Sequence, residues 1–400
     1  MKNILVVLLS LVSLFLSGRS GNNQESPKPK KDAEFSFIHF IPATPVKDQY
    51  RTSTCWSFAT ISFIESELIR TSGKAYDLSE MFIVRNVYKE KAKKYVRMHG
   101  NIRFAGGGEP NDVMNVIKTK GIVTEEAYSG LLVDTANHVH NEMDAVLKNY
   151  VSTIIKNKNK KLSNAWEDGF HSILDSYLGV VPAEFEVNGE KHSAITFAEN
   201  LNFNPDDYVL VSSFNHHPFY QSFILEVPDN WSWGEVYNIP LNELVSTTRY
   251  ALENGYSLVW ASDYSEKGFM HNQGIAVAPK ALYAPHSREE AKSINKLKPA
   301  ELKERILDTE SPLEELEVTQ DIRQEGFDDY STQDDHGMHL VGLAKDANGN
   351  EYFYVKNSWG TESLYDGYLF VSESYFRYKT VSVMLHKDAI PTTIREKLGL

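Results

Sequence analysis

Gln49-Tyr50-Arg51-Thr52-Ser53-Thr54-Cys55-Trp56-Ser57-Phe58-Ala59 places the chain's single cysteine at the point where a helical pattern begins. From Cys55 to Arg70 the apolar residues Phe58, Ile61, Ile64, Leu68 and Ile69 recur at intervals of three and four, which predicts an amphipathic helix. Ser53 and Thr54 stand where an N-cap belongs, and Gly73 where the helix stops. A cysteine in the first turn of a helix faces backbone N–H groups that favour negative charge. That position draws a thiol toward thiolate, its reactive form. A lone cysteine is ordinarily a small buried hydrophobe, so the case rests on what accompanies it. Gln49 lies on the loop leading into the helix, where its side-chain amide and the Cys55 backbone N–H can converge. Two converging donors are what a tetrahedral oxyanion requires.

Further along, Asp77 or Ser79 caps a second helix, Gly106-Gly107-Gly108 makes a sharp loop, and Asn111 to Lys118 forms a third helix that ends at Gly121. Residues from about 130 to 240 are rich in Asn, Lys, Asp and aromatics and have mixed periodicity; they read as an inserted, partly helical subdomain. Leu241 to Leu252 is amphipathic, and Ser257 to Ala261 is a short apolar strand. The charged stretch from about 286 to 320 reads as a solvated helix or an insertion. Met338 to Leu343, the Asn348-Gly349 turn signal, Tyr352 to Val355, Tyr368 to Val371 and Val381 to Leu385 make a β-rich end. Helices first and antiparallel strands last predict an α+β fold of two lobes with a cleft between them.

A thiolate needs an imidazole neighbour, and the imidazole needs an orienting partner. His336 and His339 compete for that place. Three apart in a strand, their side chains point to opposite faces, so only one looks into the cleft. Downstream, Asn357 would fix the ring's far nitrogen, and Trp359 would shield that hydrogen bond from water. Glu109 directly follows the glycine-rich loop; it reads either as a contact for a substrate's ammonium or as a solvated loop residue.

Composition removes several other classes. The 400 residues carry a formal net charge of −13 and a pI near 5.5, which excludes a protein built to neutralise phosphates. One cysteine allows no internal disulfide and no cysteine-rich metal site. No metal or cofactor is expected. Lys2 followed by an apolar run from Ile4 to Leu16 reads as a signal peptide within residues 1–20. That run is short for a membrane span, so no stable membrane insertion is expected after cleavage, and the location is secreted or periplasmic. Leu16-Ser17-Gly18 approaches a lipoprotein cleavage site, but Arg19 stands where the lipidated cysteine is needed. Residues 21–34 read as a flexible tether.

Taken together these residues resemble the papain-like cysteine peptidases. Pro45 to Gln49 followed by Cys55-Trp56-Ser57-Phe58-Ala59 is similar to that family's nucleophile segment, and Leu78-Ser79-Glu80 to its second helix. Gly107-Gly108 with Pro110 resembles the loop whose backbone pairs with substrate. Asp335-His336 with Gly342, and Asn357-Ser358-Trp359-Gly360 with Asp366-Gly367-Tyr368, resemble the histidine and asparagine segments. The resemblance implies a Cys55–His336–Asn357 triad, with Gln49 at the oxyanion, Trp359 as a shield and His339 outside it. It also implies a helical lobe facing an antiparallel, β-barrel-like lobe.

Three departures narrow the branch. The interval from Cys55 to His336 far exceeds the usual papain-type spacing of about 130–150 residues. Disulfides are missing, with Thr52 where many members pair a cysteine, and so is a long propeptide. These features resemble bleomycin hydrolase and aminopeptidase C, as do Tyr237-Asn238-Ile239-Pro240, Val259 to Asp263 and His336-Gly337-Met338. In that branch a C-terminal arm enters the cleft and restricts it to free N-termini; here His386 to Leu400 matches the stretch before the arm, where the sequence stops. The expectation is a peptidase domain over 35–400 that trims short peptides through an acyl-enzyme. The alternatives are an endopeptidase, an acyl transferase using the same intermediate, and an inert binding protein; the last is disfavoured because no catalytic residue is missing. Peptides are the expected partners, and a homo-oligomer is compatible with this reading.

Overall fold

The computed structural model of the chain describes residues 34–132, 136–158, 161–284 and 286–400. The expected signal peptide and all of the expected tether but Glu34 lie outside them. Among the described residues no helix is long and apolar enough to cross a membrane.

Three helices carry the first half of the site. Helix α1 (Cys55–Ser72) is buried from Trp56 to Leu68. It ends at Gly73, whose left-handed φ of 70° lets its N–H reach the Ile69 carbonyl. Helix α2 (Glu80–Arg97) is capped by Ser79, which accepts from the Phe82 N–H at 3.0 Å and so settles the choice between Asp77 and Ser79. Helix α3 (Pro110–Lys120) starts on a proline, whose missing N–H costs nothing there. Apolar faces of all three meet in one core with Ile61, Phe63, Ile83, Val84, Val113 and Ile117.

The remainder is built on an eleven-stranded sheet. At its centre Leu258–Ser262, buried along its whole length, lies antiparallel between Thr380–His386 and His336–Asp346. Glu351–Lys356 and Tyr368–Ser372 continue the sheet on one side; Phe35–Phe40 also pairs with His336–Asp346. The expected lobe was antiparallel and barrel-like. The sheet is instead mixed, because Tyr208–Ser212 with Glu235–Asn238 and Tyr368–Ser372 with Ile275–Ala276 pair in parallel. It runs as an ordered series from Ser222–Ile224 to Phe269–Met270.

Those parallel strands come partly from the segment read as an insertion. Its helices Asn141–Ile155 and Ala165–Leu178 bury Met143, Leu147, Val151, Phe170, Leu174 and Leu178 in the same core as α1 and α2. Tyr208–Ser212 joins the main sheet beside Thr380–His386. The charged stretch near 286–320 forms two short helices, Arg288–Lys296, which buries Ile294, and Pro299–Leu307, which buries Leu302 and Ile306.

Candidate active site

Where α1 meets the strand His336–Asp346, the packing is set by a glycine. A Cβ on Gly337 would stand 3.2 Å from the Trp56 Cα and 3.3 Å from its N, so the strand lies almost on the backbone at the helix start. This contact brings Cys55 and His336 to the walls of one cleft of about 420 Å³, which Gln49, Gly107, Gly108, Glu109 and Trp359 also line. Cys55 is half-buried. Burial pushes its thiol up to about 12, against backbone N–H groups of Gly337 and Trp56 that stabilise the thiolate. The helix start therefore does not win alone, as the sequence suggested; desolvation outweighs it. Burial likewise holds His336 down to about 4. Burial thus acts against the charged form of both groups, and a proton passing from thiol to imidazole stays within the pair.

The tautomer of His336 follows from its neighbours. Asn357 Oδ1 lies 2.7 Å from His336 Nε2. The Ser358 backbone N–H, which can only donate, also points at that oxygen at 2.8 Å, so the amide orientation is determined. Nε2 must then carry the hydrogen, leaving Nδ1 free to accept a proton. Trp359 stacks on the His336 ring with centroids 4.5 Å apart and covers this pair, which is nearly inaccessible to solvent. His339, on the opposite face of the same strand, is fully buried with Nδ1 2.9 Å from Ser62 Oγ, beside Lys356. It does not line the cleft.

A residue the sequence reading missed completes this group. Asn357 Nδ2 lies 3.2 Å from His271 Nδ1, which accepts its hydrogen bond, and the His271 ring meets the edge of Trp359 at 4.9 Å. His271 sits in a short turn between two two-residue strands, with no local pattern to mark it. Burial keeps its imidazole below the ordinary pKa, hence neutral and able to accept. His271→Phe keeps the ring and removes the acceptor. The expected result is a roughly fivefold to tenfold fall in kcat with KM unchanged, on the order of 1 kcal/mol for one neutral hydrogen bond. Steady-state kinetics on a peptide amide checks it, and an unchanged kcat would refute a positioning role.

Gln49 is held by the segment that follows Asn357. Its N–H donates to the Ser358 carbonyl at 2.9 Å, and Ser358 Oγ donates to Gln49 Oε1 at 2.7 Å. Gln49 Nε2 donates one hydrogen to the Thr52 carbonyl at 3.0 Å, which leaves its other hydrogen for the cleft. Gln49 is thus tied directly to Ser358, whose own N–H donates to Asn357 Oδ1.

The glycine-rich loop is fixed from below. Lys91 Nζ donates to the carbonyls of Ala105, at 2.8 Å, and Gly107, and Trp56 Nε1 to that of Gly106 at 3.0 Å. Gly108 could not carry a side chain without displacing Trp56, which stands 2.9 Å from its would-be Cβ. Glu109 is not a solvated loop residue: it is 2% exposed. Burial, and then Asp334 beside it, push its carboxyl well above the usual range. Asp334, also missed, lines the cleft with it and is pushed up to about 6 by burial. Asp335, also at the cleft wall, accepts from the Tyr264 N–H at 2.8 Å and from Ser265.

Away from the cleft, His216, His217 and Glu226 are the one group among the described residues whose ligand atoms converge closely enough for a metal ion.

Comparison with known proteins agrees with this architecture. The profile of the papain family cysteine proteases matches residues 38–181, and that of the peptidase C1-like family matches residues 302–399. Aminopeptidase G of Lactobacillus delbrueckii subsp. lactis is 19% identical over 403 residues, spanning 90% of this chain and 84% of the relative. Cathepsin K of Gallus gallus is 31% identical over 86 residues, 21% of this chain and 22% of the relative. The crystal structure of PepW from Lactobacillus rhamnosis superimposes with a TM-score of 0.67 at 17% identity, covering 91% of this chain and 84% of that one. The chain is a papain-like cysteine peptidase, a hydrolase of peptide bonds.

Proposed function

We propose that the chain is an exported aminopeptidase acting on short peptides through Cys55, His336 and Asn357. The observation that carries the triad is the enforced tautomer: Asn357 Oδ1 accepts from His336 Nε2–H, so Nδ1 is the base. When a peptide carbonyl docks, the Cys55 proton passes to His336 Nδ1 as sulfur attacks the carbonyl carbon. The oxyanion takes hydrogen bonds from Gln49 Nε2 and the Cys55 amide. His336 then protonates the leaving amine, and water, deprotonated by the same imidazole, releases the acyl group.

The preference for free N-termini is supported by the likeness to aminopeptidase G over 90% of this chain and by the segment 130–240, which reaches the cleft through Asp229. Export rests on the N-terminal apolar run alone. The test compares one peptide with a free and with an acetylated N-terminus, and casein as a third substrate. The free peptide should be cut at least tenfold faster than either. Equal rates on all three would make the enzyme an endopeptidase.

A further inference from the structure

The lining of the cleft is acidic in excess. Glu109, Asp229, Asp334 and Asp335 all contribute to it, and Arg103 is the one lysine or arginine among the lining residues. Two of these carboxylates are already engaged. Asp335 accepts from Tyr264 and Ser265. Asp229 pairs with Arg103 at 3.3 Å. Neighbouring charges are engaged as well: Asp112 accepts from the Glu109 N–H at 3.0 Å and Trp231 Nε1 at 2.8 Å, and Lys91 is held by the loop carbonyls.

Glu109 and Asp334 are left facing each other within hydrogen-bond reach. Glu109 is 2% exposed, and its Oε1 has no hydrogen-bond partner. Two buried carboxyls sharing a proton, with an acceptor left over, are costly in a fold. The chemistry that relieves this cost is a compact cation with several N–H donors, which an ammonium group supplies. The two carboxyls come from different parts of the chain. Glu109 closes the glycine-rich loop at the start of α3, and Asp334 stands two residues before His336 on the sheet side. A peptide whose scissile carbonyl lies against Cys55 carries its α-nitrogen only two bonds from that carbonyl carbon.

We propose that Glu109 and Asp334 form a receptor for a substrate's ammonium group, occupied by the α-ammonium of the peptide N-terminus. This rests on the reading of Cys55 as nucleophile and names the device that selects the substrate. The same chemistry accepts the side-chain cation of a lysine one residue further from the cut, and the test separates the two sources.

L-alaninamide and N-acetyl-L-alaninamide are titrated into the full-length protein by calorimetry. In parallel, kcat/KM is measured on alanine-aminomethylcoumarin, its N-acetyl form, and N-acetyl-Lys-Ala and N-acetyl-Leu-Ala aminomethylcoumarin. In the wild type, L-alaninamide binds at least tenfold tighter than its acetylated form, and the free-amine substrate is favoured at least tenfold. Glu109→Gln and Asp334→Asn each shrink both ratios at least fivefold, chiefly through KM. Equal binding of the two amides to wild type overturns the proposal without recourse to a variant. Ratios unchanged in both variants overturn it too, and leave the aminopeptidase reading intact. A wild-type preference for N-acetyl-Lys-Ala over N-acetyl-Leu-Ala that exceeds the free-amine preference overturns the assignment to the α-ammonium. A tenfold binding difference without any hydrolytic preference refutes the aminopeptidase reading and supports the receptor.

Discussion

Cys55→Ala is expected to lower kcat/KM on any peptide substrate by about four orders of magnitude or more, the loss that follows if Cys55 is the nucleophile we propose. The fold should survive. Cys55 is half-buried at the first turn of α1, and no disulfide depends on it. The change removes one sulfur and leaves the hydrogen bonds of the Gly106 and Gly107 carbonyls to Trp56 and Lys91 in place. Circular dichroism should give a melting curve within a few degrees of wild type, and an irreversible thiol-directed peptidyl inhibitor should label wild type but not the variant. Turnover near the wild-type rate would refute Cys55 as nucleophile.

Exchange of the two strand histidines separates chemistry from packing. His336→Ala removes the proposed base and should cost kcat/KM about three orders of magnitude or more. His339→Ala removes a ring enclosed by the core and hydrogen-bonded to Ser62, so it should lower stability by about 1–3 kcal/mol while kcat/KM falls less than tenfold. A larger kinetic loss at His339 than at His336 would reverse the assignment. The pH profile adds a second reading. His336 must be unprotonated to accept the thiol proton, and burial holds it down to about 4. Activity should therefore persist as pH falls through 6.5, the ordinary imidazole value, and be lost only toward pH 4. An acid limb centred at 6.5 or above would contradict a desolvated base.

The residues that meet in the cleft were legible unevenly. Cys55, Gln49, His336, Asn357 and Trp359 each sit in a short local pattern: a helix start, a strand, or the turn after a hairpin. Facing along a strand was sufficient to separate His336 from His339, because alternation is a property of the backbone alone. His271 was not legible. Its part depends on a hydrogen bond to Asn357, and nothing within a few residues of it in the chain reports that contact. Asp334 was passed over for a similar reason, being one acidic residue among many until Glu109 faces it.

The sequence by itself determined the helix at Cys55, the strand and hairpin that carry His336 and Asn357, and the concentration of helices early and strands late, and hence the α+β class. These depend on periodicity, caps and turns, which act over a few residues. The sheet strand Phe35–Phe40 ahead of the first helix was not read. Only the tertiary structure decided that the sheet is mixed, since parallel pairing joins strands distant in sequence. It alone decided that the segment near 130–240 shares the main core and sends Asp229 to the cleft. It also decided how far burial acts on the ionisable groups of the site. A helix N-terminus is local and favours the Cys55 thiolate, whereas desolvation comes from everything packed around the sulfur, and it prevails. Glu109 shows the same physics: a carboxylate after a glycine loop reads as solvated until another segment of the chain closes over it.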